Sequence, residues 1–330
     1  MQEEHPFAKY LRILGKGKTG TRSLSEAEAY DAMTMILRSE VEDVQLGAFL
    51  MLLRVKEESH EELAGFVKAV RDSISAPAIA VDLDWASYAG KRRQLPWYLL
   101  AALALADSGL KVFMHGAAGH TAERIYSETV LNMIGETTAS DWTSVKDKLA
   151  KCNFAYLPLS QFSPALQRMI DLRQQFGLRS PVHTLSRLLN PLSADYSLQS
   201  IFHPAYAESH QQAAALLGQP HAAVFKGEAG EVERKPEAVC RVKMVHHDQL
   251  TDAEWPKLLD GRQEKLVSLD INNLISVWRG ESDDQYGHLA IQGTIAIAIQ
   301  LRAPELTHNV CLERAEQIWQ NRNPSRLSPR

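Results

Sequence analysis

The first 75 residues show the apolar spacing of three short α-helices. In SLSEAEAYDAMTMILRSE, Ser25 and Glu28 have the spacing of a capping box, and apolar residues recur every three or four positions. The segment SHEELAGFVKAVRDSI repeats this box with Ser59 and Glu62, and the intervening DVQLGAFLMLLRV is almost wholly apolar. Because helices this short are marginal alone, we expect residues 1–75 to form a small helical domain that buries its apolar faces against a partner surface.

Beyond Pro77, short apolar runs alternate with helical patterns. The runs AIAVDL, LKVFMHG, FAYLPL and HAAVFKG predict strands. This alternation is typical of βαβ units, so we expect residues 76–330 to form a larger α/β domain with a mostly parallel sheet. Ligands bind outside the carboxyl ends of such strands, where His115–Gly116 and Lys226–Gly227 end two of them. The segment 320–330 contains Pro and Arg and is predicted to be a disordered tail.

The composition of the chain limits which ligands it can bind and in which cellular environment it can work. The 330 residues include 36 Lys and Arg against 40 Asp and Glu, a net charge of −4, so any polyanion site must be a local patch. Cys152, Cys240 and Cys311 are widely spaced and form no metal-binding motif, which favours a reducing setting. The longest apolar stretch, residues 95–106, is too short for a bilayer span. We therefore expect a cytoplasmic protein without a membrane partner, a bound metal or a cofactor.

A basic loop stands just before a predicted buried helix. In SYAGKRRQ, Gly90 is followed by Lys91, Arg92 and Arg93. Three adjacent cations can bind a phosphate backbone, but cation triplets are also common in solvated turns, so both interpretations stay open. Aromatic residues near this loop fit either stacking on bases or a place in the core: Trp85, Tyr88 and Trp97.

Two further features could take part in phosphate chemistry. In GKGKTGTRSLS, the cations Lys16, Lys18 and Arg22 lie among glycines, without the residue order of a P-loop. This segment is a candidate phosphate site or a flexible turn before the Ser25 cap. His115 ends a predicted strand, and we expect it to be a buried histidine that donates to a backbone carbonyl.

Several segments of the chain occur in the same order in a known enzyme family. They are SLSEAEAYDAM, VEDVQLGAFLMLLRVKEESHEELAGFVKAV, VFMHG, FGLRSPVHTLSRLLNP, SIFHPAYAESHQQAAALLG and AAVFKGEAGEVE. On these segments the chain resembles anthranilate phosphoribosyltransferase, of glycosyltransferase family 3. The resemblance implies a nucleoside phosphorylase/phosphoribosyltransferase class II-like fold. It also implies a helical domain joined by the segment 165–190, and a homodimer formed through the helical domains.

The family's residues for the phosphoribosyl donor are not retained. Its glycine-rich GTGGD loop is matched by a stretch with one glycine, and its KHGN motif by residues 114–117, MHGA. Its magnesium-binding Asp-Glu pair is matched by Glu231–Val232, although Mg²⁺ requires several oxygen ligands. Arg179 matches an arginine that contacts anthranilate, and His183 stands where the family has asparagine. The resemblance thus places an ancestral substrate cleft at Gly90, His115, Gly116, Arg179, His183 and Glu231.

A retained scaffold without the donor residues resembles the YbiB-type branch of this family, whose members bind DNA and RNA. By this resemblance we expect a non-enzymatic homodimer that binds nucleic acid through phosphates, with little sequence specificity. Lys91, Arg92 and Arg93 would grip the phosphates, and the Lys16–Arg22 turn would extend the patch. The alternative is a glycosyl or phosphoribosyl transferase with an altered donor site, which would use magnesium. A third interpretation is a scaffold that binds a small metabolite without turnover.

Overall fold

The N-terminal part of the chain is a bundle of helices. The computed structural model describes residues 3–17, 19–261 and 268–329. Within these ranges the bundle comprises α1 (Ala8–Gly15), α2 (Glu26–Leu37), α3 (Asp43–Lys56) and α4 (His60–Ser73). Both expected capping boxes form, because the hydroxyls of Ser25 and Ser59 each accept a hydrogen bond from the N–H of the glutamate three residues on. The sequence analysis missed α1, whose N-terminus has no side-chain cap.

One sheet organises the rest of the chain. Its strands are β1 (Leu83–Ser87), β2 (Val112–Gly116), β3 (Phe154–Pro158), β4 (Tyr196–Ile201), β5 (His221–Lys226), β6 (Cys240–His246) and β7 (Gln249–Trp255). In the described ranges they lie in the order β3-β2-β1-β4-β5-β6-β7. Strands β1 to β5 pair in parallel, and β6 and β7 add an antiparallel hairpin at one edge. The predicted fold class, a helical domain followed by a mostly parallel α/β domain, is confirmed.

Helices pack on both faces of this sheet. They are α5 (Trp97–Asp107), α6 (Ser127–Met133), α7 (Trp142–Cys152), α8 (Leu159–Phe162), α9 (Pro164–Asp171), α10 (Arg173–Phe176), α11 (Val182–Leu185), α12 (Tyr206–Leu216), α13 (Asn272–Arg279), α14 (Gln285–Arg302) and α15 (His308–Gln320). Successive strand side chains point to opposite faces. Trp85 therefore joins the apolar cluster of α5 and α14, whereas Ala86 joins that of the helical bundle.

The segment 165–190 shares its core with the helical bundle. Leu166 and Ile170 of α9 and Leu185 of α11 belong to the same apolar cluster as the helices α1 to α4. The guanidinium of Arg71, at the end of α4, donates to the backbone carbonyls of Leu188 and Leu189. Of the helices in the described ranges, none has both the length and the apolar character that a membrane span requires.

The first strand begins later than the sequence predicts. The run AIAVDL predicts a strand over residues 78–83, but β1 starts at Leu83 and all five of its residues are buried. Residues 78–82 are exposed or half-buried, with Ile79 and Val81 packed at the margin of the core. The strand ends at Ser87, so the sheet holds this residue in place immediately before the basic loop.

The C-terminal tail is packed against the domain, which corrects the prediction of disorder over 320–330 for the residues that are described. Leu327 is fully buried. The guanidinium of Arg326 lies 2.6 Å from Asp107 Oδ1 and 2.5 Å from Glu136 Oε1. Buried charges are tolerated when they are paired. The sequence could not reveal this, because both carboxylates come from distant parts of the chain.

Candidate functional site

The turn after β1 holds a carboxylate in a cradle of hydrogen-bond donors. The N–H groups of Ala89 and Gly90 donate to Glu231 Oε1 at 2.7 and 2.6 Å. The Ser87 hydroxyl donates to the other carboxylate oxygen at 2.9 Å. Gly90 has φ +70°, and a Cβ there would lie 2.9 Å from the carbonyl oxygen of Ile125, so the turn requires glycine. Adjacent backbone N–H groups of this kind form an anion site, which a side chain of the same protein fills here.

Glu231 reaches the cradle from a tight turn that follows β5. A Cβ on Gly227 would lie 1.6 Å from the Glu231 carbonyl oxygen, and Gly230 has φ +90°, so both glycines are needed for this close approach. The Glu231 side chain is almost completely buried, and burial raises its pKa, against the lowering effect of the cradle donors. Three converging donors suit the ionised carboxylate, because it can only accept hydrogen bonds.

Lys91 forms a buried ion pair with Glu233. Its Nζ lies 2.5 Å from Glu233 Oε1, and neither side chain is exposed. The N–H of Tyr98, in the first turn of α5, donates to Glu233 Oε2 at 2.9 Å. Burial raises the pKa of Glu233 to about 7, although Lys91 opposes this rise. The prediction that Lys91 grips phosphates, and the alternative of a solvated turn, are therefore both corrected for this residue: Lys91 lies in the core, because a carboxylate from the turn after β5 compensates its charge.

Arg92 and Arg93 are exposed and line a cleft of about 1090 Å³ beside the cradle. The cleft lies between the end of β5, the turn after β4 and the β6–β7 hairpin. Among the described residues that line it are seven cations and three carboxylates, an excess of four positive charges in a chain of net charge −4. We call it the basic cleft; its cations are Arg92, Arg93, Arg124, Lys226, Lys235, Arg241 and Lys243.

The cations of the basic cleft differ in whether a carboxylate neutralises their charge. On the hairpin, Arg241 pairs with Glu254 at 2.9 Å and Lys243 with Asp252 at 2.7 Å, both across directly opposed positions. Arg92 pairs with Glu123. Within the described ranges, the side chains of Arg93 and Lys226 have neither a hydrogen bond nor an ion pair. The ion pairs of Arg92, Arg241 and Lys243 lie at the surface, where such pairs are weak and a ligand can replace the carboxylate. The cleft therefore offers accessible positive charge.

The second basic segment lies away from this cleft. Lys16 is exposed, and Arg22 donates two hydrogen bonds to the Glu28 carboxylate at 2.6 and 2.7 Å. Lys18 lies outside the described residues. Neither Lys16 nor Arg22 is among the described residues that line the basic cleft. Their predicted role in nucleic-acid binding therefore stays a prediction, and it would require a separate surface.

His115 and Gly116 are buried where β1 and β2 pair. The Nδ1 of His115 lies 2.7 Å from the Tyr88 hydroxyl, and its Nε2 lies 3.2 Å from Asp84 Oδ1. The expected backbone carbonyl is thus replaced by two side chains as neighbours. A Cβ on Gly116 would lie 2.0 Å from the Ser87 carbonyl oxygen, so glycine is required there. Trp85, Tyr88 and Trp97 are all buried, which assigns them to the core and excludes base stacking.

Arg179 belongs to a group of arginines without carboxylate partners. Its Nη2 lies 3.5 Å from Thr121 Oγ1, and its pKa is lowered to about 10 by burial and then by the charges of neighbouring arginines. In the part of the chain that is described, none of these residues forms an ion pair. We call them the arginine cluster, which comprises Arg124, Arg173, Arg179 and Arg187.

Two histidines and a serine lie beside the arginine cluster. The rings of His120 and His183 meet edge to face with centroids 4.9 Å apart. Burial lowers the pKa of His120 to about 3 and that of His183 well below its usual range, with Arg179 acting in the same direction. The Nε2 of His183 and the Oγ of Ser180 are buried without a hydrogen-bond partner among the described residues. This group of neighbouring residues therefore combines positive charge with neutral polar groups that have unused hydrogen-bonding capacity.

Comparison with known proteins identifies the scaffold. Residues 8–74 match the helical bundle domain of a glycosyl transferase family, and residues 98–274 match its α/β domain. The chain belongs to glycosyl transferase family 3. It is similar to anthranilate phosphoribosyltransferase of Ignicoccus hospitalis, with 30% identity over 76% of this chain and 72% of the relative. It is also similar to the uncharacterized protein YbiB of Escherichia coli, with 27% identity over 73% of this chain and 77% of the relative.

Solved structures of the family share the fold. The anthranilate phosphoribosyltransferase of Thermus thermophilus matches with a TM-score of 0.77 and 19% identity, covering 96% of this chain and 95% of that one. The Saccharomyces cerevisiae enzyme in complex with 4-fluoroanthranilate gives a TM-score of 0.78 and 19% identity, covering 97% and 94%. At this identity the likeness shows the fold alone.

One solved member of glycosyl transferase family 3 is described as a complex with PRPP and Mg. In this chain the candidate carboxylates are otherwise engaged: Glu231 by the cradle, and Glu233 by Lys91 and the Tyr98 N–H. Glu228 accepts a hydrogen bond from the next backbone N–H. Over the described ranges, no three His, Cys, Asp or Glu side chains are grouped to hold a metal ion. These residues do not fit magnesium, and we derive no step through it.

The sequence analysis missed part of the site. The pairing of Glu233 with Lys91 was not predicted there, and the hairpin cations Arg241 and Lys243 were not considered. The alternation of two glutamates around the buried Val232 is the signal that could have identified a doubly anchored turn. Of the two strand ends expected at a ligand site, Lys226–Gly227 lines the basic cleft, whereas His115 and Gly116 are buried and are not among the described residues that line it.

Proposed function

We propose that this protein binds nucleic acid through phosphate contacts in the basic cleft, with little base specificity. One observation carries the proposal: the anion cradle of the turn after β1 is occupied by Glu231, while exposed cations line the cleft beside it. The scaffold thus keeps an accessible positive surface but has closed its own backbone site for a small phosphate.

The occupied cradle is unfavourable for a phosphoribosyl donor. A diphosphate bound at the N–H groups of Ala89 and Gly90 would meet the Glu231 carboxylate, and like charges at short range repel strongly where water is excluded. At the N-terminus of α5, the N–H of Tyr98 is likewise engaged by Glu233. Helix N-termini are common phosphate sites. Both of these sites are neutralised by the same turn.

The basic cleft is suited to an extended polyanion. Its lining carries an excess of four positive charges over about 1090 Å³, spread over the basic loop, the end of β5 and the hairpin. Contacts between cations and phosphates supply affinity and position but carry no sequence information. Among the described residues that line the cleft, all cations lie on strands and loops, so its positive charge is not carried by a helix that could enter a major groove.

The experiment is a salt titration of binding to mixed-sequence DNA by the full chain. Each phosphate contact contributes a slope of about −0.9 in log affinity against log salt for duplex and about −0.7 for single strands. We expect replacement of Arg92, Arg93 and Lys226 by alanine to reduce the slope by about two to three. The matched control is Lys146→Ala with Lys151→Ala, on α7 beside β3 at the opposite sheet edge. An equal effect of both variants, or no binding by the parent at low salt, would refute the proposal.

A second candidate function is a transferase with an altered donor site, and the curated relatives support it more directly than nucleic-acid binding. The arginine cluster favours it, because Arg179 lacks a carboxylate partner in the described ranges and its charge acts on the buried His183, whose Nε2 has no hydrogen-bond partner there. Positive charge without a carboxylate partner suits an anionic acceptor. Steady transfer from phosphoribosyl pyrophosphate to anthranilate, followed by fluorescence with and without magnesium and abolished by Arg179→Ala, would establish this candidate.

A further inference from the structure

An exposed phenylalanine lies in the lining of the basic cleft. Phe202 follows β4 and is 45% exposed, although the chain buries most of its aromatic residues. A Cβ added at Gly230 would lie 3.5 Å from Phe202 Cβ, so Phe202 stands beside the turn that carries Glu231. Its position therefore adds an exposed aromatic ring to a cleft that is lined by seven cations.

The ring of Phe202 has a face that its neighbour leaves free. His203 meets it edge to face, with centroids 4.8 Å apart and planes at 81°. In such a contact at most one face of the phenylalanine is covered, whichever ring supplies the edge. Together with the exposure of the side chain, this leaves room for a planar group to stack on Phe202.

The surrounding charges indicate which planar group fits. The unpaired cations Arg93 and Lys226 line the same cleft as Phe202, and further cations follow along the hairpin. An aromatic platform within a positive groove is the arrangement that binds single strands, because a base stacks while the adjacent phosphates contact cations. In a duplex the base faces are covered by their neighbours, and exposing one costs unstacking energy.

We infer that the basic cleft takes single-stranded nucleic acid with one base stacked on Phe202. This inference rests on the proposed function and adds its preferred substrate class. It also identifies the aromatic residue that the sequence analysis sought among Trp85, Tyr88 and Trp97, all of which are buried.

The test measures affinity by fluorescence anisotropy with the full chain and three labelled probes. These are a mixed-sequence single strand, the same sequence as duplex, and a single strand of abasic sites. Phe202→Ala should weaken binding of the intact single strand about 5- to 100-fold, the range measured for stacked bases. It should change duplex and abasic-strand binding less than about twofold, and Phe202→Trp should retain the affinity for the single strand.

The matched control is Leu250→Ala, on β7, because Leu250 is 46% exposed and is not among the described residues lining the cleft. It should leave all three affinities unchanged. If Phe202→Ala has no effect, or weakens all three probes equally, the stacking inference fails while the proposed function stands. If the parent binds none of the probes at low salt, both fail. A salt slope that Phe202→Ala leaves unchanged supports the inference, because the ring carries no charge.

Discussion

The N–H of Gly90 donates to the Oε1 of Glu231 at 2.6 Å, across 141 residues of sequence. This bond joins the turn after β1 to the turn after β5 and fills a backbone anion site with a carboxylate of the same chain. A side-chain anion thus takes the place that backbone donors of this kind offer to a bound anion.

Removing this carboxylate should expose the anion site. We expect Glu231→Ala to bind inorganic pyrophosphate measurably in isothermal titration calorimetry, whereas the parent does not. The same change should lower the free energy of unfolding by about 1–3 kcal/mol for each buried donor left without a partner, before pyrophosphate is added. Glu231→Gln is the control, because it keeps the side-chain volume in the cradle. Equal pyrophosphate binding by the parent would show that the cradle is accessible.

The two neighbouring cations Lys91 and Arg93 should differ sharply in their effect on stability. Lys91→Ala leaves Glu233 uncompensated in the core, and breaking a buried pair in this way costs about 3–5 kcal/mol. Arg93→Ala removes an exposed side chain and should change the free energy of unfolding by less than about 0.5 kcal/mol. Urea unfolding of both variants measures the difference. Replacing both members of the pair, with Lys91→Met and Glu233→Leu, should recover most of the loss; similar effects of Lys91→Ala and Arg93→Ala would contradict the buried pair.

Local sequence patterns predicted the helices and strands. The arrangement of the candidate site, in contrast, depends on contacts between residues that are far apart in the sequence. The capping boxes at Ser25 and Ser59 are set by residues three positions apart, so they could be identified from the sequence. The burial of Lys91 depends on its pairing with Glu233, which is 142 positions away in the sequence. No pattern in the sequence around Lys91 predicts this pairing.

The same reasoning applies to the basic cleft. Its cations come from the basic loop, the end of β5 and the hairpin, and only the order of the strands brings them together. The tail around Arg326 was mistaken for a disordered segment because its partners, Asp107 and Glu136, are distant in sequence.

Stability should fall in mild acid because buried histidines resist protonation. Burial, and secondarily the charge of Arg187, lowers the pKa of His210 to about 3. In the unfolded chain a histidine takes up its proton near pH 6.5. The unfolded state therefore binds more protons between these values, and stability is lost as the pH falls through this window. At pH 5 the loss from this one residue is about 2 kcal/mol.

His210→Gln should remove that part of the acid sensitivity. We expect the drop in the free energy of unfolding between pH 7.5 and pH 5.0, measured with urea, to be about 2 kcal/mol smaller in the variant than in the parent. His120 and His183 contribute in the same direction to both proteins, so they cancel in the comparison. An identical pH dependence of the two proteins would show that His210 takes up its proton as readily in the folded state as in the unfolded state.

An apolar stripe on α3 should be the contact surface of a homodimer. Val44 and Val55 are 79% and 86% exposed, and they lie on the same face of α3 as the half-buried Met51 and the exposed Ala48. Apolar residues gathered on one exposed helix face mark an interaction surface.

We expect light scattering after size exclusion to give twice the chain mass of 36.9 kDa for the parent. Val44→Glu with Val55→Glu should give the mass of one chain, since a buried, unpaired carboxylate is costly. Leu250→Glu, at another exposed apolar position, on β7, should leave the dimer intact. A parent of one-chain mass, or a double variant that keeps twice that mass, would exclude α3 as the interface.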